Sequence, residues 1–65
     1  MRKNLINARK EKHLTQKQVA EYLDITVRAY QHIEKGVYLG KIQHWDKLED
    51  LFKRHQRYLR ELSSD

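Results

Sequence analysis

The chain has 65 residues, no Cys and no Pro, and carries 14 Lys and Arg against 9 Asp and Glu for a formal net charge of +5. That length allows one domain, residues 1–65, around one small core, and without Cys neither a disulfide framework nor a cysteine zinc site supports it. No apolar run approaches the roughly 20 residues that span a bilayer and no charged-then-apolar leader is visible, so the expectation is a cytoplasmic protein with no membrane role.

Aliphatic residues recur at spacings of three and four, and nothing alternates over a strand's length, which predicts an all-α bundle of about five short helices. The first helix is expected over 3–12, with Leu5 and Ala8 on one face, Ile6 flanking it, and Lys10 and Lys12 near its negative C-terminal end. The second is expected over 16–23. Thr15-Gln16-Lys17-Gln18 reads as a capping box, Leu14 and Val19 as the hydrophobic staple around it, and Val19, Ala20 and Leu23 as the inner face. Asp24 stops that helix, because Asp tolerates left-handed backbone better than most residues. Ile25 then fills the corner, and Thr26 is a second N-cap.

The third helix, 27–35, turns Tyr30 and Ile33 inward and ends at Gly36. After a loop, the fourth, 41–53, carries the stripe Ile42, Trp45, Leu48 and Phe52, in which Trp45 reads as core rather than as a stacking platform. The fifth, 56–62, offers Tyr58, Leu59 and Leu62 either to a dimer partner or to the domain's own core. Residues 63–65 are expected to fray.

Charge is uneven along this order. Residues 1–36 hold eight basic and four acidic groups, and residues 37–65 hold six and five. A basic excess in the half with two capped helices joined by a tight turn points to a polyanion, with a merely solvated surface as the alternative. Two such helices are the parts of a helix-turn-helix, in which the second lies in the major groove with its N-terminal residues near base edges.

The stretch Leu14-Thr15-Gln16, Val19-Ala20, Leu23, Ile25-Thr26, Tyr30 and Ile33-Glu34-Lys35-Gly36 resembles the Cro and lambda-repressor-type (XRE-like) helix-turn-helix family. The resemblance covers about residues 3–53 and implies a lambda-repressor-like fold and a bacterial or phage transcriptional regulator. It also implies a salt bridge between Arg9 and Glu34. His13 and Asp24 stand where the family commonly has Gly, so both are expected to take left-handed backbone at a cost of roughly 1 kcal/mol each. Pro and Ser usually start the fourth helix and are missing here, and Arg54 holds a position that is usually apolar.

The expected partner is double-stranded DNA, bound by a monomer or a homodimer, with no cofactor or small-molecule ligand implied. Arg28 is the first choice for base readout, since Arg pairs bidentately with guanine O6 and N7; a phosphate contact is its alternative. Val27 reads either as a contact to a thymine methyl or as packing on the second helix. Gln31 and His32 are expected to reach bases or phosphates, and His32 matches a base-contact position of the family. Gln16 is expected to bind a phosphate through its backbone N–H and side-chain amide. Thr26, Lys17, Lys35, Lys41 and Tyr38 are further phosphate candidates.

No catalytic constellation is present, and Ser63 and Ser64 make poor nucleophiles in a tail. His13, His32, His44 and His55 fall on four different elements without ligand-like spacing, so no metal site is expected. The function expected is that of a repressor or phage-type switch protein. The alternative is a protein-interaction module, an antitoxin or anti-regulator, on the same fold.

Overall fold

A computed structural model describes residues 1–63. Its helices are α1 (Lys3–Glu11), α2 (Gln16–Leu23), α3 (Val27–Lys35), α4 (Ile42–Phe52) and α5 (Gln56–Arg60), with no strand among the described residues.

The first three helices end alike. Leu14 N–H reaches Arg9 O and His13 N–H reaches Lys10 O after α1. Ile25 N–H to Ala20 O and Asp24 N–H to Glu21 O close α2, and Val37 N–H to His32 O and Gly36 N–H to Ile33 O close α3. Each pair satisfies carbonyls that a helix end would leave bare, and each needs one left-handed residue just past the helix. His13 (φ 57°), Asp24 (φ 60°) and Gly36 (φ 84°) fill those places. Lys53 (φ 57°) also takes left-handed backbone after α4, at a position without a turn residue in the sequence.

The core is built from Leu5 and Ala8 of α1, Val19, Ala20 and Leu23 of α2, Tyr30 and Ile33 of α3, Trp45, Leu48 and Phe52 of α4, and Leu59 of α5. Leu14 and Ile25, the residues at the two ends of α2, pack against it. Ile42, expected in the inner stripe of α4, is 77% exposed, while His44 is buried. The 3.6-residue repeat sets Ile42 to one side of Trp45, Leu48 and Phe52 and His44 to the other. Burial follows the His44 side because its ring is satisfied there, with Nδ1 accepting from Lys41 N–H at 3.3 Å. That bond begins α4 in place of the usual Pro or Ser. It needs a neutral imidazole nitrogen, and burial, then Lys41 and Lys47, hold the His44 pKa down.

The fifth helix is shorter than the sequence implied. It ends at Arg60, Glu61 turns extended (φ −57°, ψ 130°), and Leu62 runs back over Gly36. Ser63, expected to fray, donates its N–H to Met1 O at 2.8 Å. Ser64 and Asp65 lie outside the described residues. No helix among those described is long and apolar enough to cross a membrane.

Arg2 explains why the chain closes this way. It is a buried residue, and its guanidinium donates from Nε to Arg60 O (3.0 Å) and from Nη1 to Ile33 O (2.7 Å) and Tyr38 O (3.2 Å). Its backbone N–H adds a bond to Glu34 O at 2.7 Å. One cation thus caps the C-terminal carbonyls of α3 and α5, where the helix dipoles are negative. It also lies 5.4 Å from the centroid of the Trp45 ring, whose Nε1 is fixed on Leu39 O at 2.7 Å. Burial, then the neighbouring Arg60, lower the Arg2 pKa.

Candidate nucleic-acid interface

The α2–α3 corner is set by its caps. Thr15 Oγ1 accepts from Gln18 N–H (3.1 Å) while Gln18 Oε1 accepts from Thr15 N–H (2.8 Å), the reciprocal box expected there. Thr26 Oγ1 accepts from Ala29 N–H at 3.1 Å and starts α3. Because Thr26 caps the helix and Gly36 ends it, the phase of α3 is fixed: Tyr30, Ile33 and Glu34 are buried. The opposite face carries Val27, 41% exposed, together with exposed Arg28, His32 and Lys35.

Beneath this face lies an ion pair. Arg9 Nε donates to Glu34 Oε2 at 2.7 Å, and Arg9 Nη1 donates to Leu14 O at 2.9 Å. The pair locks α1 to α3 through largely covered side chains, so removing one partner leaves a charge with poor solvation. The Tyr30 hydroxyl is buried beside Glu34 and Arg9 but makes no hydrogen bond. Burial first, then the Glu34 carboxylate, push its pKa above the ordinary tyrosine value.

Gln16 and Gln31 are not free side chains. Gln16 Nε2 donates to Glu34 Oε1 (2.8 Å), and Gln16 Oε1 accepts from Gln31 Nε2 (3.1 Å). The side-chain amide of Gln16, expected on a phosphate, is therefore committed to Glu34 and Gln31, and the other expected phosphate group, its backbone N–H, is one of the first-turn donors that a helix leaves without an intrahelical acceptor. With Arg9, Glu34, Lys10 and Lys35, the two glutamines line a cleft of about 330 Å³.

The remaining phosphate candidates, Lys17, Thr26, Lys35, Tyr38 and Lys41, are all exposed. Tyr38 and Lys41 share a second recess with Asp24, Ile25 and Lys47 beyond the other end of α2. The candidate dimer residues divide. Tyr58 and Leu62 are exposed, but Leu59 is 0% exposed and belongs to the domain's own core, while Leu62 lies past the end of α5. Arg2 was not picked out from the sequence, and His44 was weighed only as a metal ligand. A single Arg ahead of a helix, and a His within a helix, carry no pattern of their own; only the fold brings carbonyls to the first and a backbone N–H to the second.

Two short helices meeting at a capped corner, the second anchored by Tyr30 and Ile33 with a polar face outward, define the helix-turn-helix class of DNA-binding domains. The model of the family described as Helix-turn-helix matches residues 5–59, and the chain belongs to that family, of the Cro and lambda-repressor type. It is accordingly a DNA-binding regulator. No curated protein and no solved structure matches the chain.

Proposed function

We propose that the protein is a sequence-specific repressor or phage-type switch protein that binds double-stranded DNA and acts by occupying an operator. Helix α3 enters the major groove. Arg28 pairs with a guanine, Val27 meets a thymine methyl, and Gln31 and His32 contact further bases. The backbone N–H of Gln16, Thr26 and the cations Lys17, Lys35 and Lys41, with the hydroxyl of Tyr38, hold phosphates on either side. The observation that carries this reading is the phase of α3: Val27, Arg28 and His32 are exposed together while Tyr30, Ile33 and Glu34 are buried. One such helix reads only a few base pairs, so two chains on half-sites about 34 Å apart give the needed length. Tyr58 and Leu62 are the exposed part of the proposed contact between chains.

A second reading, a protein-interaction module, is favoured by one feature. Val37, Leu39 and Ile42 are exposed apolar side chains close together in sequence, over the loop before α4 and its first turn. A salt titration on random-sequence duplex separates the two. Phosphate contacts predict affinity falling linearly on logarithmic axes as salt rises. Absence of binding even at low salt supports the interaction module instead.

A further inference from the structure

A directed chain of hydrogen bonds runs from the interior to the DNA-facing edge of α3. The Glu34 carboxylate, paired with Arg9, only accepts hydrogen bonds. The end of Gln16 that meets it at 2.8 Å must therefore be the Nε2 amide. That turns Gln16 Oε1 toward Gln31, and Gln31 can answer at 3.1 Å only with an N–H. Each link leaves one choice, and the choice propagates outward. Gln31 keeps one N–H on Nε2, and its Oε1 accepts no bond among the described residues. Its side chain is only partly covered, at the rim of the cleft flanked by Lys10 and Lys35.

We propose that Gln31 selects adenine in the major groove, its carboxamide held in one orientation by the relay running from the Arg9–Glu34 ion pair through Gln16. The inference rests on the reading of α3 as the major-groove helix. Adenine presents the N7 acceptor beside the N6 amine, and a glutamine satisfies both, with Oε1 accepting from N6 and Nε2 donating to N7. Guanine presents two acceptors, O6 and N7. A freely turning glutamine can offer guanine both hydrogens of its Nε2. Gln31 has one of them committed to Gln16 and sets its Oε1 against guanine O6. Thymine uses only the remaining N–H and puts a methyl group beside Oε1; cytosine uses only the acceptor. Gln16 is a positioning residue here, since it touches no base and decides which end of Gln31 does. Lys10 and Lys35 add positive charge on the rim, which favours close approach of the duplex.

The test is selection of sites from a random duplex pool with the full chain, Gln31→Met and Gln16→Met, with circular dichroism reporting the fold of each. Gln31→Ala repeats the measurement without adding a new side chain. The wild-type chain is expected to prefer adenine over guanine by about tenfold at one base pair per bound chain. Gln31→Met and Gln31→Ala flatten that position and no other. Gln16→Met still binds adenine there but loses about tenfold of the adenine-to-guanine ratio, which a purely structural role for Gln16 does not move. A preference for guanine or thymine at the Gln31-dependent position overturns the proposal. So does an unchanged ratio in Gln16→Met, or a Gln31 variant that alters no position. If those failures occur while positions dependent on Arg28 persist, only the relay falls. If no sequence is enriched at all, the major-groove reading falls with it.

Discussion

The α2–α3 corner and the face where Arg2 meets Trp45 and the end of α5 are both rigid, but they are built by different means. The corner is made from short-range parts. Thr15 and Gln18 satisfy one another, Thr26 caps three residues ahead, and Asp24 and Gly36 supply the left-handed turns. The Arg2 cluster is made from long-range parts: Arg2 reaches Arg60, 58 residues away, and Ile33, 31 residues away. Local chemistry thus shapes the helix proposed to read DNA, while one buried cation ties the ends of α3 and α5 together. The two regions meet at α3, whose C-terminal carbonyl Ile33 O is held by Arg2 and whose Glu34 is held by Arg9.

Substitutions can break that comparison in order of size. Glu34→Ala removes the acceptor of Arg9 and Gln16 and leaves a guanidinium in a mostly covered site, at a cost of about 3 kcal/mol. A urea midpoint that hardly moves in this variant would mean that the ion pair does not hold α1 to α3. Arg2→Met keeps the bulk over Trp45 but strips donors from Ile33 O, Tyr38 O and Arg60 O. Hydrogen bonds to a charged donor make the expected loss roughly 2 kcal/mol. A loss under about 0.5 kcal/mol, the size usual for a surface site, would show that the chain closes without this cap.

Acidification sharpens the comparison further. The His44 pKa is lowered in the native chain, so the unfolded chain takes up its proton first as pH falls. Stability is full above the ordinary histidine value of about 6.5 and declines as pH drops from there toward the lower native value. His44→Gln flattens that slope in urea midpoints measured across the range. The smallest effect is expected at Tyr30→Phe. The hydroxyl is buried without a partner, so its removal is near neutral or slightly stabilising, within about 1 kcal/mol. A larger loss in thermal or urea unfolding would reveal a bond to Glu34 that the geometry lacks.

How much of this could be read in the sequence follows the same division. The caps at Thr15 and Thr26, the stops at Asp24 and Gly36, and the anchors Tyr30 and Ile33 were legible because each depends on neighbours within one or two turns. Helix limits differ by one residue at Lys12, Lys41 and Lys53, which are cap positions rather than helix interior. Ile42 was misread because spacing alone does not say which flank of a stripe is covered. The early end of α5 was not legible because Arg60 O is taken up by Arg2, a contact that no local pattern encodes, and the spacing left Leu59 open between core and dimer surface. At the interface, exposure of Val27, Arg28 and His32 followed from helix phase. The pairing of the Gln16 amide with Glu34 and Gln31 did not, since it depends on two other helix positions meeting it in space.

The most direct test of the central claim is a comparison of selected DNA sites for the wild-type chain and Arg28→Ala. The wild type is expected to select a defined, two-fold symmetric site. In the variant, which folds as before, a guanine position in each half-site loses its preference by about tenfold or more. An unchanged site and unchanged affinity in Arg28→Ala would contradict the assignment of the outer face of α3 as the surface that reads DNA.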